Sequence, residues 1–271
     1  VGIGIMRSHD QSAIDTIVSA AAEAGCRLFD TAALYGNEAE VSKAIKKTGL
    51  ARSELFITTK LKTVDQGYDN TRKAIDNSLK IMGLDYVDLY LIHWPAPGVG
   101  KYKDSWRAME KAYRDGLIRA IGVCNFFENH LQSLVELGGE LPMLDQVQTN
   151  PSYVNYNVLN YCQEHNIVVQ AWAPLGGGYV NSIHDDPQIQ AIGEKYGKTN
   201  AQVVLRWEVQ KGISVIPGSS KPERIRQMLD IFDFTLTPQE EAVIDAMNTG
   251  HAMTGRPPER IPYDPNVINN H

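Results

Sequence analysis

ELFITTKLKTVDQGYDNTRKAIDNSLKIMGLDYVDLYLIH, residues 54–93, decides how the rest of the chain is read. ELFITTK (54–60) and YVDLYLIH (86–93) are short β-branched and apolar runs, the composition of strands buried on both faces. GYDNTRKAIDNSLKIMG (67–83) lies between them as an amphipathic, helix-like stretch. It closes on Gly83, the residue type that helix C-termini prefer. Strand, helix, strand is the repeating unit of a parallel sheet.

The same alternation extends in both directions. VGIGI (1–5), RLFD (27–30), IRAIGV (118–123), LDQVQ (144–148), IVVQAWA (167–173) and ISVIP (213–217) read as further strands, which makes eight. SAIDTIVSAAAEAG (12–25), SWRAMEKAYRDG (105–116) and AQVVLRWEVQKG (201–212) read as helices closing on Gly25, Gly116 and Gly212. Eight such units in 271 residues, with no linker or composition break, predict an α/β fold of the (β/α)8 barrel type (TIM barrel), one domain over residues 1–271. An open doubly wound sheet is the competitor. Its nucleotide-binding fingerprint is missing, because Gly2-Ile3-Gly4-Ile5-Met6-Arg7 begins like GxGxxG but lacks the third glycine. After the last unit, TPQEEAVIDAMN (237–248) predicts a C-terminal helix with Thr237 as cap and Pro238 in its first turn, followed by an irregular Pro-rich tail.

Composition narrows the function classes. The formal net charge is −6 and the basic residues are scattered, which argues against nucleic acid and anionic membrane as partners. No apolar run approaches the roughly 18 residues that cross a bilayer, and the first residues carry no signal-peptide pattern. Cys26, Cys124 and Cys162 are odd in number and far apart, so a reducing, cytoplasmic setting is expected, with neither disulfides nor structural zinc. The seven histidines show no metal-ligand spacing, which counts against a metal-dependent hydrolase, and the site is expected to hold no metal. The chain opens at Val1 without Met, so a preceding element is expected.

In a barrel of this kind the chemistry gathers where strands end. Asp30, Lys60 and His93 close strands two, three and four, and Tyr35 follows Asp30 in the next loop. Singly, a strand-terminal ion is more often solvated or paired, and His93 more often structural. Four suitable types at successive strand ends instead form a cluster. An ammonium at Lys60 favours the phenolate of Tyr35, Asp30 holds Lys60 charged, and His93 donates a hydrogen bond to a carbonyl oxygen lying between it and Tyr35. Such a cluster polarises a C=O and protonates it; it requires a hydride donor.

These residues resemble the aldo-keto reductase superfamily. DTAALYGNE (30–38) is similar to its DTAxxYGNE segment, TTK (58–60) to its lysine strand, LIHWP (91–95) to its histidine strand, and IGVCNF (121–126) to its (I/L)GVSNF segment. The short connection HWPAPGVGKY (93–102) resembles the compact microbial and protist members, such as the diketogluconate reductases and prostaglandin F synthases. The resemblance implies Tyr35 as general acid, Lys60 and Asp30 as its tuning pair and His93 as carbonyl-orienting residue. It implies NADPH bound extended over the barrel mouth, with NADH as a weaker alternative. Asn125 and Gln146 would hold the nicotinamide carboxamide and Trp172 would stack on its ring. Leu175 and Gly176 would lie by the pyrophosphate, Ser219 and Arg224 would grip the adenosine phosphate, and Ile5, Met6, Asp30 and Cys124 would complete the cofactor site. Met6, Leu34, Tyr35, His93 and Trp94 would line the pocket for a small carbonyl substrate, in a monomer.

Four departures from the family pattern carry expectations. Gly218 stands where NADPH-preferring members commonly have Lys, which weakens the preference for NADPH; Gln227 and Met228 replace a common Glu and Asn over adenine. Cys124 replaces Ser, and Ile5-Met6 replaces Thr-Trp, reshaping the substrate pocket. A barrel-plugging hairpin of many relatives would precede Val1. The alternative reading is a cofactor-sensing regulatory subunit with little turnover, since relatives of that kind keep the four residues.

Overall fold

A computed structural model describes residues 1–6, 8–178, 182–250 and 252. The eight predicted strands form one parallel sheet in sequence order: β1 (Ile3–Gly4), β2 (Leu28–Asp30), β3 (Phe56–Leu61), β4 (Val87–Ile92), β5 (Ile118–Cys124), β6 (Leu144–Gln148), β7 (Val168–Trp172) and β8 (Ser214–Val215). The first and last are only two residues long, yet they close the cylinder. Gly2 N–H donates to Val215 O at 2.8 Å and Gly4 N–H to Pro217 O at 3.0 Å. Side chains have little room at this seam. A Cβ added at Gly4 would stand 3.0 Å from Ile216 O, and one at Gly218 would stand 2.8 Å from Gly4 O.

Between strands run α1 (Gln11–Glu23), α2 (Glu38–Lys47), α3 (Tyr68–Met82), α4 (Tyr102–Arg114), α5 (Glu128–Val135) and α6 (Tyr156–Glu164). A single turn α7 (Ser182–Asp185), α8 (Pro187–Tyr196) and α9 (Asn200–Gln210) lie between β7 and β8, and α10 (Pro222–Leu229) follows β8. The predicted C-terminal helix is α11 (Pro238–Asp245), where Thr237 accepts from Glu240 N–H and Pro238 opens the first turn. The Pro-rich tail beyond it, from residue 253, lies outside the described residues.

Alternate strand residues face opposite ways, and this parity sorts the core into two parts. Phe29, Ile57, Tyr90, Ile92, Ile121 and Val123 join helix residues such as Ile14, Trp106 and Met109 in the large core between sheet and helices. Leu89, Leu91 and Cys124, with Ala120, Leu144 and Trp172 against them, form a small separate cluster inside the barrel. Gly122 makes room for it, since a Cβ there would lie 2.5 Å from Leu144 O and 2.8 Å from Leu91 Cδ2. The interior apolar layer is thin. Two residues further along each strand, the same parity delivers polar side chains.

Candidate active site

Asp30 follows Leu28 by two positions, Lys60 follows Thr58, His93 follows Leu91, Cys124 follows Gly122, Gln146 follows Leu144 and Gln170 follows Val168, so all six point inward at the C-terminal end of the barrel. Lys60 is wholly buried and Asp30 is 2% exposed. They pair through Lys60 Nζ and Asp30 Oδ1 at 2.6 Å, and Lys60 also donates to Thr31 O at 3.0 Å. The other carboxylate oxygen, Asp30 Oδ2, accepts from Gln146 Nε2 at 2.8 Å, across the barrel. Both oxygens are thus satisfied, the condition under which a buried ion pair is tolerated.

Tyr35 sits on a single turn, Ala33–Tyr35, that ends on Gly36 in the left-handed conformation. Lys60 Nζ lies 5.2 Å from its ring centroid, and the His93 ring meets it edge-on with centroids 5.7 Å apart. The four strand-end and loop residues singled out in the sequence therefore do come together. Loop positions are held by Asn37, which donates to Ile5 O at 2.7 Å and Ser8 O at 2.8 Å and accepts from Thr31 Oγ1 at 2.6 Å. Ile5 is itself buried, so it meets the mouth through its backbone, whereas Met6 is 45% exposed.

The charge states are set by burial and by Lys60. Burial pushes the Tyr35 phenol up to about 12, against the lowering pull of the Lys60 charge, and the charge on Asp30 adds to the rise. Tyr35 as a whole is partly exposed, but its hydroxyl lies deep enough for desolvation to dominate. The expectation that Lys60 acidifies Tyr35 therefore holds for the direction of Lys60's own effect and fails for the sum. Burial also works against the Lys60 ammonium, but Asp30 and then Tyr35 favour it, and its pKa is raised. His93 is lowered to about 3, first by burial and then by Lys60, so its imidazole is neutral at pH 7. Its Nδ1 is buried with no hydrogen-bond partner.

A second group adjoins the first. Asn125, just past β5, has φ of 63°, a left-handed conformation uncommon outside glycine. It is fixed there by its side chain, which donates to His93 O at 3.0 Å and Cys124 Sγ at 3.2 Å and accepts from Trp172 Nε1 at 2.9 Å. Burial keeps Cys124 a neutral thiol by raising it well above its ordinary value. Gln146 Nε2 also donates to Gln170 Oε1 at 2.8 Å, and Gln170 Nε2 donates to Ser214 Oγ at 3.1 Å. Gln170 and Asn37 join the site without being among the residues singled out by strand-end position or by resemblance. The signal for Gln170 was present: one amide inside the apolar run IVVQAWA, two positions before Trp172 and hence on its face.

The remaining predicted residues lie on the segments that follow the strands. Leu34 shares the turn of Tyr35, and Trp94, partly exposed, fixes the β4 loop by accepting from Gln66 Nε2 at 2.8 Å. Leu175 precedes a glycine turn in which Gly176 and Gly177 have positive φ. Ser219 Oγ accepts from Lys221 N–H at 3.1 Å ahead of α10, and Arg224 is exposed in the first turn of that helix. Among the described residues, no three His, Cys, Asp or Glu side chains gather as a metal site.

A barrel with an Asp, Lys, Tyr and His cluster at its C-terminal mouth defines a class, and the comparisons assign it. The family model described as "Aldo/keto reductase family" matches residues 1–249, and the chain belongs to that family. Glyoxal reductase of Bacillus subtilis is 44% identical over 260 residues, covering 96% of this chain and 92% of the relative. An aldo-keto reductase of Mycolicibacterium paratuberculosis is 43% identical over 250 residues, with coverages of 92% and 86%. Among solved structures, the aldo/keto reductase from Brucella melitensis superposes with a TM-score of 0.86 at 41% identity, covering 91% of this chain and 94% of that one. A Bombyx mori aldo-keto reductase in complex with NADP also gives 0.86, at 35% identity and coverages of 93% and 90%. The protein is an NAD(P)H-dependent oxidoreductase of the carbonyl-reducing type.

Proposed function

We propose that the protein reduces small aldehydes or ketones to alcohols with NADPH, Tyr35 acting as general acid. The observation that carries this reading is the buried Lys60–Asp30 pair placed against Tyr35, with neutral His93 meeting the phenol ring edge-on. The surroundings fit a nicotinamide dinucleotide in kind. Trp172 offers a partly exposed flat face for the ring, and Asn125 and Gln146 offer amides for its carboxamide. The glycine turn at 176–178 lets backbone N–H groups approach a pyrophosphate, and Ser219 and Arg224 at the start of α10 suit the adenosine phosphate. Bound there, the cofactor supplies a hydride to the carbonyl carbon.

The chain's own residues do the rest. A neutral imidazole at His93 donates a hydrogen bond to the substrate oxygen without protonating it outright. Tyr35, whose pKa of about 12 keeps it protonated at pH 7, gives its proton only as the oxygen becomes alkoxide-like, a far stronger base than phenolate. Lys60 then stabilises the phenolate left behind, and Asp30 holds Lys60 in place. Met6, Leu34 and Trp94 form the apolar rim that meets the substrate. Similarity to a glyoxal reductase supports small aldehydes as substrates. Three free, buried cysteines support a reducing, cytoplasmic setting for what we take to be a monomer.

The test is steady-state reduction of an aldehyde panel with NADPH against NADH, beside Tyr35→Phe. Tyr35→Phe is expected to bind NADPH normally and lose nearly all turnover. Unchanged turnover would remove the mechanism, and tight NADPH binding with negligible turnover in the unmodified protein would favour the regulatory-subunit reading.

A further inference from the structure

The interior amides are counted out in a way that assigns Gln170 a role. Gln146 Nε2 carries two hydrogens, and both are committed: one to Asp30 Oδ2 and one to Gln170 Oε1, each at 2.8 Å. Asp30 alone decides only which end of the Gln146 amide faces it. The second acceptor, Gln170, stops the amide turning about its own axis. Gln170 is in turn oriented by its donation to Ser214 Oγ at 3.1 Å, and it is 1% exposed, so water does not compete for its oxygen. What remains of Gln146 is Oε1, whose one contact is the weak thiol donor of Cys124 at 3.7 Å.

We propose that Gln170 is a positioning residue which, by occupying the second N–H of Gln146, makes Gln146 present the nicotinamide carboxamide with an acceptor and no donor. This rests on the cofactor reading above. Recognition at this point is then of the carboxamide NH2, and it depends on a side chain that does not touch the cofactor. An apolar residue at 170 frees one buried N–H of Gln146, which then seeks an oxygen, and the preference for an NH2 group disappears.

The experiment compares binding of NADP+ with its 3-acetylpyridine analogue, which has a methyl ketone in place of the carboxamide and no N–H to donate. The unmodified protein is expected to bind NADP+ about threefold to tenfold more tightly than the analogue, the effect of one neutral hydrogen bond. In Gln170→Met the ratio is expected to fall to within about twofold, and Ser214→Ala, a smaller change, is expected to narrow it part of the way. A purely structural role for Gln170 would weaken both dinucleotides alike and leave the ratio intact. That result, in either variant, overturns the proposal, as does a ratio near one in the unmodified protein. Failure of the unmodified protein to bind either dinucleotide would instead overturn the cofactor reading beneath it.

Discussion

Acid should destabilise this protein through one histidine. His93 is lowered to about 3 from an ordinary value near 6.5, by burial and by the Lys60 ammonium. In the unfolded chain it returns to the ordinary value, so between pH 6.5 and 3 the unfolded state binds a proton that the folded state does not. Stability from this group is therefore complete above 6.5 and is lost as pH falls toward 3, by up to 1.36 kcal/mol per pH unit. From pH 7 to pH 5 the loss is about 2 kcal/mol. That figure depends on the unfolded value alone, provided the folded value stays well below 5. Most carboxylates titrate below this window, and Asp145 and Glu208, which burial raises well above the ordinary carboxylate value, act in the opposite sense but equally in both proteins, so they cancel from the comparison. The assay is reversible denaturant unfolding at pH 7 and pH 5 of the unmodified protein and of His93→Gln, each difference taken within one protein. His93→Gln is expected to lose about 2 kcal/mol less on acidification. Equal losses would refute the reasoning, since they would mean that the His93 site accepts a proton when folded.

Other perturbations test other parts of the site. Lys60→Met strands a buried carboxylate and is expected to cost about 3–5 kcal/mol in thermal or denaturant unfolding, most of which the double variant with Asp30→Leu should recover; additive losses would contradict the pairing. Asn37→Ala removes two hydrogen bonds that tie the loop after β2 to the loop after β1, and one within the loop after β2. It is expected to cost about 2–4 kcal/mol and to raise KM more than it lowers kcat, because it releases the loop carrying Met6. Gly218→Lys should favour NADPH over NADH in binding, but its Cβ meets Gly4 O at the seam, so an overpacking loss of about 1–3 kcal/mol in stability is expected with it.

How much was legible depended on how many residues carried each feature. All eight strands could be read because each is an apolar run bounded by turns, and α1, α3, α4 and α9 because each buries five or more side chains. The helices that went unread are shorter: α2, α5, α6 and α8 run 8–10 residues against 11–15 for those four, and α6 buries only Val158 and Cys162. Two to three turns are too short a stretch to show a period. At the site, strand-end position and parity were enough to gather Asp30, Lys60 and His93. The net acidity of Tyr35 was not, because it is a difference between burial and charge that has no trace in residue order. Neither was the amide chain from Asp30 through Gln146 and Gln170 to Ser214, which runs over four strands.

The bond from Gln146 to Asp30 joins positions 116 apart in the chain, spanning the hollow between opposite walls. Until strands from both halves have met, the inner carboxylate lacks one of its two donors and one N–H of Gln146 lacks its acceptor. Assembly of the catalytic apparatus and sealing of the cylinder are thus a single cooperative act. A fragment holding either half alone would inherit unsatisfied polar groups in place of a partial enzyme.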